Sequence, residues 1–137
     1  MKPEDFTATQ CSTKEDKQKF AKKFIAFVKS DFKESLFTKD FYNRLSMCFG
    51  HIAHYNREGF YNTWFSGRRH KIEFLKRTLT YGCHGDPAWT YSDVETYLGD
   101  HDEIRKALEF QKREYAKEIE KSEREQLTYL QEKYKTA

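Results

Sequence analysis

The stretch from Phe41 to Arg77, FYNRLSMCFGHIAHYNREGFYNTWFSGRRHKIEFLKR, decides the fold that this sequence predicts. At about 100 degrees per residue, its first part places a set of apolar residues in one narrow sector of a helix: Phe41, Leu45, Cys48, Ile52 and Tyr55. We therefore predict a central helix that is capped by Thr38 and ends near Tyr55 or Asn56. Gly59 then predicts a break, and the rings that follow it predict a dense aromatic turn.

Before this stretch, Ser12 and Glu15 have the spacing of a capping box, in which each side chain bonds a free backbone N–H of the first helical turn. A helix is expected to begin there and to run to Asp31 or Phe32. Its predicted core face repeats at helical spacing and comprises Phe20, Phe24, Phe27, Val28 and Phe32.

In the last part of the quoted stretch, Ser66 or Gly67 is expected to open a helix whose inner stripe is Arg68, Ile72, Leu75 and Leu79. Gly82 is predicted to end that helix, because glycine suits the left-handed position that follows a helix. Ser92 and Glu95 repeat the capping-box spacing, which predicts a short helix from Asp93 to Leu98.

The last predicted helix covers residues 101–135, with Asp100 or Asp102 as its cap. Some 34 residues at 1.5 Å each give roughly 50 Å, whereas a compact domain of this size has a diameter of roughly 35 to 40 Å. The helix should therefore project beyond the domain, and three outcomes stay open: its far half frays, folds back, or pairs with a second copy to form a homodimer. An ion pair is expected between Glu120 and Arg124.

Composition predicts one domain over residues 1–137, with residues 1–11 as a flexible arm that becomes ordered only if Phe6 docks. Aromatic residues make up 17% of the chain and charged residues 34%, while β-branched aliphatic residues are few. A large sheet is therefore disfavoured. We predict an all-α fold, a compact bundle of five or six helices with a long C-terminal helix.

The three cysteines, Cys11, Cys48 and Cys83, have unrelated spacings, so a disulfide framework is not predicted. Neither a secretory signal nor an apolar run of about 20 residues is present. Free thiols, a cytoplasmic location and no membrane partner are the expectations.

Two patterns allow an enzyme as a distant alternative. His51 and His54 could share a metal ion with Cys83 and His84. Alternatively, Cys83 or Cys48 could act as a nucleophile with a histidine as its base and Asp86 to orient that histidine. The His-x-x-His spacing is weak without an accompanying glutamate, and adjacent side chains such as Cys83 and His84 need not converge. We predict no catalytic residue, no metal and no cofactor.

The best candidate surface combines basic and aromatic residues in and around the quoted stretch. Arginine beside aromatic rings is typical both of protein interfaces and of nucleic-acid-binding surfaces. The predicted partner-binding residues are Arg44, His51, His54, Tyr61, Trp64, Arg68, Arg69, His70, Lys71, Lys76 and Arg77.

The net charge of +3 and the acidic segment after this region favour a protein partner, alone or within a nucleic-acid complex. The leading hypothesis is a non-catalytic intracellular binding protein that docks on another macromolecule. A narrower hypothesis is an inhibitor, encoded by a phage or plasmid, of a host nucleic-acid-processing complex. The alternative is a direct nucleic-acid-binding protein.

Overall fold

The computed structural model of the chain describes residues 2–10, 12–48, 56–80 and 89–135. In these residues the secondary structure is helical throughout, which confirms the all-α prediction. The described residues form six α-helices: α1 (Lys14–Lys29), α2 (Lys39–Cys48), α3 (Arg57–Trp64), α4 (Arg68–Thr80), α5 (Ser92–Gly99) and α6 (Asp102–Lys135). The predicted continuation of the central helix past Cys48 and the predicted stop at Gly82 lie outside the described residues.

Helix α1 is capped one residue later than predicted. The hydroxyl of Thr13 accepts the Asp16 N–H at 3.1 Å, and the Asp16 carboxylate accepts the Thr13 N–H at 3.4 Å. The capping box is thus Thr13 and Asp16, and the prediction of Ser12 and Glu15 was wrong. Ser12 is buried instead and accepts a hydrogen bond from the Tyr91 hydroxyl at 2.7 Å.

The end of α1 is a Schellman motif built without glycine. The Phe32 N–H bonds the Phe27 carbonyl at 3.0 Å, and the Asp31 N–H bonds the Val28 carbonyl at 3.2 Å. Asp31 and Phe32 both have positive φ, at 61° and 59°. The helix ends at Lys29 because Asp31 and Phe32 leave the right-handed helical conformation. The sequence prediction placed the end later because no glycine marks these left-handed positions.

The core is built largely from phenylalanine. The predicted face of α1 is buried, as are Phe37, Phe60 and Phe65 from the following segments. The rings of Phe32 and Phe65 are stacked at 4.8 Å, and Phe74 of α4 meets Phe65 edge-on at 4.9 Å. The sequence stripe predicted for α4 omitted Phe74, although this ring is fully buried.

Helix α2 begins as predicted, because the Thr38 hydroxyl accepts the Phe41 N–H at 3.1 Å. The break before α3 falls three residues before the predicted one. The Asn56 side chain caps α3 by accepting the Gly59 N–H at 2.8 Å, so Gly59 lies inside the first turn of that helix.

Two later caps also differ from prediction. Helix α5 starts at Ser92 and has Tyr91 as its cap residue without a side-chain cap bond, so the Ser92–Glu95 capping box was wrong. Tyr91 is buried and its carbonyl accepts the Glu95 N–H at 2.9 Å, which places the first helical turn. At the start of α6, Nδ1 of His101 accepts the Glu103 N–H at 3.1 Å. His101, and neither Asp100 nor Asp102, supplies the side-chain bond.

Residues 2–10 lie against the body. Phe6 is buried with its ring edge-on to Tyr97 at 5.5 Å. Phe6 thus docks on the bundle, as the prediction required for an ordered N-terminal segment. The Thr7 N–H donates to the Asp93 carboxylate at 3.0 Å, and the fully buried Lys17 reaches the same carboxylate at 2.9 Å. The Asp93 carboxylate thus joins residues 2–10, α1 and α5.

Helix α6 spans 34 residues. Its first half packs mainly on α4 and α1 and buries Ile104, Leu108 and Gln111. Every residue from Ala116 to Lys135 is exposed, so this half of the helix projects from the bundle. We call residues 116–135 the α6 arm. None of the helices in the described residues is long and apolar enough to cross a membrane.

Candidate partner-binding surface

Two of the predicted site residues, Arg68 and Lys71, bond with the corner that ends α1. Arg68 Nη1 lies 2.8 Å from Oδ2 of Asp31, and Lys71 Nζ lies 3.1 Å from Oδ1. Gln111 of α6 donates from Nε2 to the same Oδ1 at 2.6 Å, and its Oε1 accepts from Arg68 at 2.7 Å. These contacts tie three elements together, so both cations support the fold.

The electrostatics of this cluster agree with its geometry. Burial acts to raise the pKa of the Asp31 carboxyl, but hydrogen bonds from Gln111 and Lys71 and the positive charges of Lys71 and Arg68 outweigh it, and the pKa is lowered. For Arg68, burial acts to lower the pKa, and the Asp31 and Glu118 carboxylates raise it. Asp31 is therefore held as a carboxylate, and Arg68 has little freedom to leave it.

The two predicted aromatic contact residues also have internal partners. The Tyr61 hydroxyl donates to the Phe32 carbonyl at 2.7 Å, and its ring lies 5.3 Å from that of Phe37. Burial raises the pKa of Tyr61, and the nearby Glu34 carboxylate adds to the rise. Trp64 is half-buried against Phe60 and Phe74, at 6.4 and 6.2 Å between ring centres. Neither ring is placed as a free stacking platform.

Arg77 and Arg44 also contact other side chains of the chain. The Arg77 guanidinium lies 5.6 Å from the centre of the Trp64 ring, and its Nε lies 3.2 Å from Glu73. Arg44 is on α2, where its pair with Asp40 at 2.5 Å borders a small cleft between α1 and α2. That cleft is not lined by any described residue of α4, so Arg44 lies apart from the α4 cluster. Predicted residues His51 and His54 lie outside the described residues.

The remaining predicted residues, Arg69, His70 and Lys76, are exposed on α4. Arg69 and Lys76 border a groove of about 320 Å³ between α4 and α6. The groove is completed by Ile72, Glu73, Lys112 and Tyr115. Three cations and one carboxylate thus surround an apolar and aromatic floor, which suits an acidic or amphipathic partner segment. We call this feature the α4–α6 groove.

The list of predicted site residues omitted the α6 arm. Several of its apolar side chains stand in solvent: Leu127 is 57% exposed, Tyr129 65% and Tyr134 69%. Ile119 and Leu130 are exposed to a smaller extent. The helical spacing of these residues was visible in the sequence, but spacing alone does not tell whether a face is covered by the chain's own core. The predicted Glu120–Arg124 pair is present at 2.5 Å.

The described parts of the chain contain no group of three or more histidine, cysteine, aspartate or glutamate side chains arranged to hold a metal ion. The side chains considered for the alternative metal site, His51, His54, Cys83 and His84, lie outside these parts. Cys48 is a buried thiol, and its Sγ lies 3.9 Å from the Tyr91 carbonyl oxygen.

Comparisons of this chain with protein-family models, with curated proteins and with solved structures found no match.

Proposed function

We propose that this chain is a non-catalytic binding protein that docks on another protein through the α6 arm and the α4–α6 groove. The observation that carries the proposal is the exposed half of α6, where Ile119, Leu127, Leu130 and Tyr134 stand in solvent. Amphipathic helices of this kind bind partners by laying apolar side chains spaced three, four and seven residues apart against a complementary surface.

Exposed apolar side chains are common one at a time, but a row of them along one helix is typical of an interaction site. The row borders polar residues on both sides, as the rim of a protein interface does. Tyrosine is also enriched among the residues that dominate binding energy. A protein partner therefore accounts for the composition of the arm better than a purely solvated role.

The alternative, direct nucleic-acid binding, has less support. Phosphate contacts need available cations, and Arg68 and Lys71 are held by Asp31 in this fold. The Tyr61 hydroxyl is bonded to the backbone, and the leucines of the arm offer nothing to a phosphate. Arg69, His70 and Lys76 are exposed residues of α4 that this alternative would use. The narrower hypothesis of an inhibitor of a nucleic-acid-processing complex stays a prediction.

The test is a tagged pull-down from a lysate of the native host, split into nuclease-treated and untreated halves and read by mass spectrometry. The wild-type chain is compared with Leu127→Asp and with Thr128→Asp. These neighbours receive the same new charge, but they lie about 100 degrees apart around the helix, and Thr128 is well away from the apolar row.

We expect one protein to be recovered in a fixed ratio from both halves, to be lost with Leu127→Asp and to be retained with Thr128→Asp. Equal recovery by all three chains would contradict a docking role for the arm. Recovery that disappears only after nuclease treatment would establish the nucleic-acid alternative in its place.

A further inference from the structure

The apolar row of the α6 arm and the α4–α6 groove form one continuous face. At about 100 degrees per residue, the exposed residues Lys112, Ala116, Ile119, Glu123, Leu127, Leu130 and Tyr134 fall within a sector of about 80 degrees around α6. Lys112 lines the groove, so the sector begins there and continues along the arm. Its length is roughly 33 Å, the rise of 22 helical residues.

Charge is segregated on the sides of this face, and Glu123 is the carboxylate that lies within the sector itself. On one side of the sector lies a strip of basic residues that we call the basic flank: Arg113, Lys117, Arg124 and Lys135. Glu120 is the acidic residue of that side, and it pairs with Arg124. The side of α6 that points away from the sector holds Glu114, Glu118, Glu125 and Glu132.

The ion pairs of the basic flank are weak constraints. Lys117 contacts Glu114 at 3.2 Å and Arg124 contacts Glu120 at 2.5 Å, and both of these pairs lie within one helix at its surface. Such exposed pairs contribute little to stability and exchange partners readily. Among the described residues, Arg69 in the groove and Arg113 in the flank have no carboxylate within ion-pair distance.

From this arrangement we infer that the occupant of the face is an acidic amphipathic helix of a partner protein, about 22 residues long. Its apolar side chains meet the row from Ile119 to Tyr134, and its carboxylates meet the basic flank and the groove cations Arg69, Lys76 and Lys112. The inference rests on the proposed function and adds the chemistry of the partner.

A second copy of this chain fits the face less well. In an antiparallel pair of α6 arms, the basic flank of one copy would lie against the basic flank of the other. In a parallel pair, the basic flank would lie against the opposite border, which holds Ser122, Gln126 and Lys133 and no carboxylate. The glutamates on the far side of each arm point away from either interface. Charge complementarity therefore favours an acidic helix over a self-association.

The test uses three synthetic helical peptides of 22 residues and the full chain, with binding followed by fluorescence anisotropy. The peptides share one apolar row of leucines at heptad spacing and differ only in the flanking positions, which are all Glu, all Gln or all Lys. We expect the Glu peptide to bind roughly tenfold or more tightly than the Gln peptide at low salt, with the Lys peptide weakest. The difference in affinity between the Glu and Gln peptides should shrink as salt screens the charges.

Two variants assign the preference to the basic flank. Arg113→Glu combined with Arg124→Glu should abolish the preference for the Glu peptide or transfer it to the Lys peptide. The control Glu125→Lys, on the far side of the arm, should leave the order of the three peptides unchanged. Circular dichroism checks that each variant keeps its helix content.

The outcomes separate this inference from the proposed function. Peptides that all bind equally well, and all lose binding with Leu127→Asp, would overturn the acidic partner and leave a docking arm in place. If none of the three peptides binds at concentrations up to roughly 100 μM, the inference is overturned. Dimerisation of the chain itself, seen by analytical ultracentrifugation and lost with Leu127→Asp, would make a second copy the occupant and would also overturn it.

Discussion

Asp31 is the residue on which the corner after α1 depends. It adopts a left-handed conformation, which aspartate tolerates better than most residues but at some energetic cost. Its carboxylate is then held by Arg68, Lys71 and Gln111. Contacts with residues distant in sequence thus stabilise the left-handed conformation of Asp31, which the local sequence does not favour.

Asp31→Asn tests this account, because asparagine also tolerates the left-handed region and removes only the charge. Hydrogen bonds to charged groups contribute about 1.5–3 kcal/mol, so we expect a loss of that order in the free energy of unfolding at pH 7. The measurement is urea unfolding of both chains as a function of pH.

The pH dependence has a defined sign. Because the folded pKa of Asp31 is lowered below its ordinary value of 3.8, its contribution is present above that pH and is lost as the pH falls through the folded value. The difference between wild type and Asp31→Asn should therefore shrink in acid. A difference that stays constant from pH 7 to pH 3 would contradict a role for the charge.

Lys17 is fully buried with its ammonium group on Asp93, which is 11% exposed. Lys17→Met keeps the side-chain length and leaves the carboxylate without its cation, so we expect a loss of about 3–5 kcal/mol in unfolding free energy. The control Lys22→Met, on the exposed face of the same helix, should change stability by about 0.5 kcal/mol or less. Equal effects of the two substitutions would mean that the buried pair contributes nothing.

Among the elements, α6 combines two different environments in one continuous helix. Its first half is covered by α4 and α1, whereas the arm is supported by intrahelical bonds and exposed ion pairs. Exposed helical segments are marginally stable because most helical stability in proteins comes from tertiary packing. The arm is therefore expected to open locally without unfolding the bundle.

Hydrogen exchange read by mass spectrometry checks this expectation. Amides of residues 120–135 should exchange much faster than those of α1 and α4, which open only with the whole bundle. Binding of the Glu peptide should slow exchange in the arm. If the arm of the unbound chain were as protected as α4 at low micromolar concentration, it would have a covering partner already, such as a second copy.

At the scale of the whole molecule, the length of α6 sets the shape. A helix of 34 residues is roughly 51 Å long, while a compact chain of this size has a radius of gyration near 14 Å. Small-angle X-ray scattering of the monomer should give a radius of gyration above about 14 Å and a maximum dimension of roughly 50 Å or more. A compact value would mean that the arm folds back on the bundle in solution.

The class of fold could be read from local patterns. Helical spacing of the phenylalanines in α1, the cap at Thr38 and the uninterrupted last helix depend on neighbours a few residues apart, so an all-α architecture of five or six helices and the length of α6 were predictable. The ends of the helices were harder to predict from the sequence. Asp31 and His101 take roles that Gly and Asp usually fill, and nothing in their immediate sequence distinguishes them.

Which of the predicted partner-binding residues lie open to solvent could be predicted only in part, because it depends on contacts between residues distant in sequence. Basic and aromatic residues look alike in a sequence whether they face solvent or a partly buried carboxylate such as that of Asp31. Folding brings Arg68 and Lys71 to Asp31, about 40 positions away, and leaves Arg69 and Lys76 exposed beside Lys112. Local periodicity therefore determines which segments are helices and which of their faces are apolar. Long-range packing decides which of those faces are covered, and in this chain it leaves the face of the α6 arm open.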